Sequence, residues 1–185
     1  MKIVAYLFFI GFLFFFCEVS IAQDFAYKQY TIKDGLAGNH VYDAVQDHEG
    51  YIWFATETGV SRFDGKDFVN FTVADGLPSN DIIKLFLDSK GRLWMMPFTN
   101  KLCYYFKGEI YNSDNDSTLK SFEILDFIIN INEDLDHNLY FIEQKNNLFV
   151  LKANNTLLHF SDHLDYYQIG IGKDNVFQLI AGRNS

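Results

Sequence analysis

The chain has 185 residues and a formal net charge of −9, from 24 Asp and Glu against 15 Lys and Arg. An acidic chain with no basic cluster excludes nucleic acid and anionic lipid as partners of this portion. Residues 23–185 are enough for one domain.

The first element is a leader. Lys2 gives a positive start, and Ile3 to Phe16 is an unbroken apolar run, short of the roughly 20 residues a membrane span needs. Ser20-Ile21-Ala22 places small residues where a signal peptidase reads, so residues 1–22 are predicted to be a secretory signal peptide cut before Gln23. An uncleaved anchor is the rival reading. Lipidation at Cys17 would need small residues where Phe14-Phe15-Phe16 stand. Cleavage removes Lys2 and Glu18 together, leaving the net charge unchanged. Cys103 is then the sole cysteine and cannot form an internal disulfide. Its apolar surroundings, Leu102 to Tyr105, make it a small core residue.

Beyond the leader the chain repeats itself. Asp34-Gly35-Leu36 through Asn39, Val41, Asp47, Gly50 and Trp53 returns as Asp75-Gly76-Leu77 through Asn80, Ile82, Asp88, Gly91 and Trp94, always 41 positions later. A period near 40 filled with strand-forming residues is the signature of a β-propeller blade. In the first copy, Val41 to Gln46 is predicted as a strand, followed by an Asp47-His48-Glu49-Gly50 turn and a strand from Tyr51 to Ala55. Glu57-Thr58-Gly59 turns into Val60 to Phe63, and Asp64-Gly65 signals a hairpin into Phe68 to Val73. The second copy gives Ile82 to Leu87, Arg92 to Met96, Lys101 to Phe106 and Glu109 to Asn112. A weaker third copy gives Phe127 to Asn132, Leu139 to Phe141, Leu148 to Lys152 and Leu157 to Phe160, with Tyr140 in the place of Trp53 and Trp94. A fourth starts near Tyr166 and includes Val176 to Ile180.

The expected fold is therefore all-β: a propeller of four-stranded antiparallel blades. The boundaries are about 34–73, 75–112, 122–160 and 166–185, following the leader at 1–22. Tyr30-Thr31-Ile32 matches Phe71-Thr72-Val73, so Phe25 to Ile32 is expected to be a fourth strand that completes the last blade and hides its edges. Three and a half periods are fewer than the four to eight blades of a closed ring. The chain is thus expected to be the N-terminal part of a longer protein, with a ring closed by oligomerisation as the alternative.

With the repeat laid out, Asp34 to Asn39 followed by Gln46-Asp47 and Gly50 to Gly65 resembles the two-component regulator propeller repeat. Residues 75 to 94 match its first half, while Met95-Met96-Pro97 departs from it. The resemblance implies the periplasmic sensor region of a membrane-bound two-component signalling protein, exported to the periplasmic side of the inner membrane. It implies an extracellular small molecule or oligosaccharide as ligand, and membrane attachment only through a downstream segment. Histidine kinase activity would belong only to further C-terminal domains, and no catalytic motif stands in this chain. In a rival reading such propellers serve mainly as dimerising scaffolds, and the partner is a second copy. Two others are a secreted streptogramin-lyase-like enzyme, needing a histidine at the central channel, and a non-catalytic adhesion propeller.

Individual residues yield no catalytic, cofactor-binding or metal-ligating assignment, and no cofactor is expected. Trp53 and Trp94 could stack on a sugar, but the same repeat position suits packing between blades. Asp47 and Asp88 suit turn capping, and Asn39 and Asn80 suit bonds to local backbone. Asp114-Asn115-Asp116-Ser117 lacks the glycine and glutamate of a helix-loop-helix calcium loop. His159, Asp162, His163 and Asp165 follow no established ligand spacing. Function commonly sits where repeats differ, so Met95 to Asn100 and Tyr111 to Ser121 are the better site candidates.

Overall fold

In the computed structural model, residues 27–144, 147–161, 166–171 and 177–181 are described. The leader and Asp162, His163 and Asp165 lie outside them. Twelve strands form three four-stranded antiparallel blades, each in sequence order. The first holds β1 (Val41–Gln46), β2 (Ile52–Thr56), β3 (Gly59–Phe63) and β4 (Phe68–Phe71). The second holds β5 (Ile82–Leu87), β6 (Leu93–Pro97), β7 (Cys103–Phe106) and β8 (Glu109–Tyr111). The third holds β9 (Ile128–Glu133), β10 (Leu139–Glu143), β11 (Leu148–Leu151) and β12 (Leu157–Phe160). A further hairpin pairs β13 (Tyr166–Ile171) with β14 (Phe177–Ala181). The all-β, blade-by-blade fold read from the repeat is the one observed. The blades do not close into a ring among the described residues.

Each blade is built by the same local devices. The first strand carries an irregularity two residues in, between Val41 and Asp43, and again between Ile82 and Lys84. Such a bulge adds twist at the inner strand. It also aims Asp43 at the next blade, where its Oδ2 accepts from the Leu85 amide at 3.0 Å. Blade-to-blade connections repeat too. Thr31 and Asp34 form a capping box around a 3-10 turn at Ile32–Asp34, and Thr72 and Asp75 do so around Val73–Asp75. Gly35 and Gly76 end those turns at φ 105° and 107°, a conformation that favours glycine. Asn39 and Asn80 brace them by accepting from the Ile32 and Val73 amides at 3.1 and 2.9 Å.

These connections correct two expectations. Tyr27 to Thr31 is not a strand, and Ile32 begins the 3-10 turn. The fourth strand of blade one likewise stops at Phe71 rather than Val73. A capping box satisfies local amides inside the turn, so the Thr–x–x–Asp pattern outweighs the strand-like residues around it. Tyr30 instead packs its ring on Phe63 and Phe68.

The core lies between blades, in two clusters. Trp53, Ala55, Val60, Ile82, Leu85, Met95 and Cys103 fill the first junction. Trp94, Met96, Leu102, Phe141, Phe149 and Leu151 fill the second. Alternation along β6 sends Met95 to one junction and Met96 to the other, and both are fully buried. A central blade must be apolar on both faces, and β6 is buried throughout.

Candidate functional site: the junctions between blades

An aspartate before each turn organises one end of every blade. Asp47 Oδ1 accepts from the Glu49 and Tyr51 amides, and its Oδ2 accepts from Trp53 Nε1 at 2.6 Å. Asp88 does the same for Lys90, Arg92 and Trp94 Nε1, at 2.9 Å for the last. Asp134 accepts from the Asp136 and Asn138 amides and from Tyr140 Oη at 2.9 Å. Tyr140 thus stands where the tryptophans stand. Burial raises the Asp134 pKa, but the bonds from Asn138, Tyr140 and Asp136 outweigh it and hold the carboxyl below its ordinary value. The Tyr140 hydroxyl is pushed up by burial and by its bond to Asp134. Trp53 is 1% exposed and Trp94 0%, so neither indole face is open to a sugar.

On this frame the two junctions differ. At the second, the Ser89 Oγ donates to Glu133 Oε1 at 2.5 Å, and the Ser89 amide donates to Glu133 Oε2 at 2.8 Å. His137 Nδ1 lies 2.8 Å from Ser89 Oγ and 3.4 Å from Glu133 Oε1. Lys90 Nζ reaches across to the Ala153 carbonyl at 3.2 Å. The result is a polar clasp between the turns of blades two and three. It is not a nucleophile triad, because the glutamate holds the serine directly and one histidine nitrogen faces both.

At the first junction the equivalent residues are His48, Leu87 and Gly91, which form no such clasp. They open onto a cleft of about 320 Å³, lined also by Asp47, Trp53, Arg62 and Lys107. Arg62 on β3 lies 4.5 Å over the Tyr51 ring and 5.6 Å from the Trp53 ring. Its Nη1 donates to Tyr105 Oη at 3.2 Å. No ion pair to Arg62 forms among the described residues. In blade two the pairing is reversed. Arg92 stands just before β6 and lies over Trp94 and over Tyr104 on β7. Its Nε bonds Asp88 Oδ2 at 2.6 Å, a nearly buried ion pair.

The cleft rim holds a second cation in an unusual backbone. Lys107 sits at φ 50°, followed by Gly108 at φ 94°, in the tight turn between β7 and β8. Asn, Asp or Gly normally takes the first position of such a turn, and a lysine there costs about 1 kcal/mol.

The departures from the repeat are mostly packing. Met95 and Met96 are core, and Pro97 ends β6. Phe98 stays exposed, its ring tilted against Phe127 with centroids 4.5 Å apart. Residues Tyr111 to Ser121 hold a one-turn helix α1 (Ser117–Lys120), capped by Asp116 and anchored by buried Leu119. Tyr104 Oη donates to Asp116 Oδ2 at 2.6 Å, and burial first, then this bond, raises its pKa. Asn112 and Asn115 bond each other and nearby backbone. The Asp114–Ser117 stretch is therefore a turn and helix cap. His40 is exposed beside Glu57 at 3.5 Å, and His159 stacks on Phe149 at 4.3 Å. Burial pushes the Cys103 thiol far up, as for an inert core residue.

Residues 35–58 and 76–96 match the family model described as "Two component regulator propeller". Histidine kinase P4 of Formosa agariphila is 37% identical over 59 residues, which are 30% of this chain and 4% of that kinase. Among solved structures, an extracellular domain ascribed to a hybrid two component system of B. thetaiotaomicron is 20% identical with a TM-score of 0.44. The match covers 81% of this chain and 28% of that one. A second, ascribed to a one component system of the same organism, is 14% identical with a TM-score of 0.43, covering 84% and 30%. The chain thus spans under a third of either domain and a small fraction of the kinase. Its two matched segments, built as successive blades with the same aspartate latch, are two component regulator propeller repeats.

Proposed function

We propose that this chain is an exported ligand-sensing propeller of a membrane-bound two-component signalling protein. Residues 1–22 direct export, and residues 23–185 form propeller blades on the periplasmic side of the inner membrane. The blades bind an extracellular small molecule or oligosaccharide, and further domains carry the change to a kinase or a transcriptional output. The observation that supports this reading is the pair of matched repeats at fixed spacing, folded into adjacent blades. Blades hold their loops at the two ends of each sheet, where residues can vary without disturbing the core.

Two measurements test it. Alkaline phosphatase fused behind the third blade is expected to be active, and to lose activity when residues 3–16 are deleted. A strain lacking the gene is expected to lose transcriptional induction by at least one oligosaccharide in a panel. An inactive fusion contradicts export, and unchanged transcripts across the panel contradict sensing.

A further inference from the structure

We propose that the cleft between blades one and two is a binding site for a small carboxylate monoanion, with Arg62 as the primary ligand-holding group. The site follows from the contrast with blade two. There the equivalent layer is neutralised internally, because Arg92 is bonded to Asp88. In blade one Asp47 makes the same three bonds as Asp88, but the arginine comes from β3 and forms no ion pair with it. Arg62 keeps a single bond, to a neutral tyrosine hydroxyl. Its remaining donors face a cleft of about 320 Å³, at the small end of the range for ligand pockets.

Orientation favours a planar acceptor. The Tyr51 ring 4.5 Å from the guanidinium carbon and the Tyr105 hydroxyl at Nη1 hold the fork in place. A fork so held matches the two oxygens of a carboxylate. Charge favours a monoanion over a dianion. Arg62, Lys90 and Lys107 line the cleft against Asp47 and Glu49, an excess of one positive charge. Lys90 is also engaged with the Ala153 carbonyl. Lys107, at a left-handed position on the rim, is the third of these cations. This site stands on the cleft geometry and holds whether or not the chain signals.

The test is calorimetric titration of the full chain with sodium glucuronate, glucose and inorganic phosphate at constant ionic strength. Glucuronate and glucose share size and ring but differ in the carboxylate. Glucuronate is expected to bind saturably and glucose not at all, with phosphate weaker than glucuronate. Arg62→Gln is expected to weaken glucuronate about tenfold or more, the scale of one charge-assisted pair. Lys107→Gly relieves the backbone position and keeps the fold, and is expected to weaken binding about threefold, a rim effect. It decides the matter if Arg62→Gln fails to fold. Glucuronate binding no better than glucose, phosphate binding more tightly than glucuronate, native affinity in a folded Arg62→Gln, or native affinity in Lys107→Gly where Arg62→Gln does not fold, would each overturn the proposal.

Discussion

The first and second blade junctions share an apolar core plan and differ at one end. Both bury an aromatic residue latched to an aspartate, Trp53 at one and Trp94 at the other. At the second junction the turns are tied by Ser89, Glu133 and His137, and the arginine of the layer is spent on Asp88. At the first, His48, Leu87 and Gly91 leave a cleft, and Arg62 faces it without an ion pair among the described residues. The repeat fixes the blade but not the use of the space between blades. Packing needs only the latch and the apolar layer. The turn residues above that layer are free to close the junction or leave it open.

The largest effect should come from the aspartates. Asp88→Ala strands Arg92 and Trp94 Nε1 in a buried layer and is expected to cost about 3 kcal/mol in urea unfolding. Asp47→Ala leaves no cation behind and is expected to cost about 1–2 kcal/mol. Equal costs would break the distinction between the two layers.

A smaller effect on stability, but a decisive one on the cleft, comes from importing a carboxylate. Leu87 holds the blade-two position that Glu133 holds in blade three. Leu87→Glu is expected to change stability by about 1 kcal/mol or less, as for a partly exposed charge. It should abolish glucuronate binding in the same titration. Binding that survives would separate the cleft from the anion site.

The smallest effect is set by pH. Asp34, Asp64 and Asp134 all sit below the ordinary carboxylate value of 3.8 in the folded chain. Backbone bonds from Thr31 and from Asp67 lead the causes at the first two, while hydrogen bonds outweigh burial at Asp134. Groups with depressed folded-state pKa values stabilise the fold fully above their unfolded values. That contribution is lost as pH falls through and below 3.8. The urea midpoint is thus expected to be flat from these groups near neutral pH and to drop below about pH 4. A midpoint that rises on acidification would contradict the assigned hydrogen bonds.

The strands and latches were legible because they recur at a constant spacing. Asp47, Asp88, Asn39 and Asn80 act on backbone within seven residues, so local pattern was enough to place them. The strand expected up to Ile32 failed over Tyr27 to Thr31 because a capping box competes locally with extended structure. The clasp was hidden for a different reason. Helix α1 and its flanks lengthen the second connection, so Ile128 follows Ile82 by 46 residues rather than 41 and the partners of Ser89 fall out of register. The exchange of arginine and tyrosine was hidden too. Arg62 pairs across from Trp53, while Tyr104, 42 positions on, pairs across from Trp94. Of the unmatched residues, Met95 and Met96 pack the core, while Tyr111 to Ser121 carry the turn and short helix of the longer connection.

The most direct test of a clasped second junction beside an open first one is a pair of double-mutant cycles. One combines Ser89→Ala with Glu133→Gln, and the other combines His48→Ala with Leu87→Ala, both read by urea unfolding. A coupling of about 0.5–1 kcal/mol is expected across the second junction and none resolvable across the first. Equal coupling at both junctions, or coupling only at the first, would contradict it.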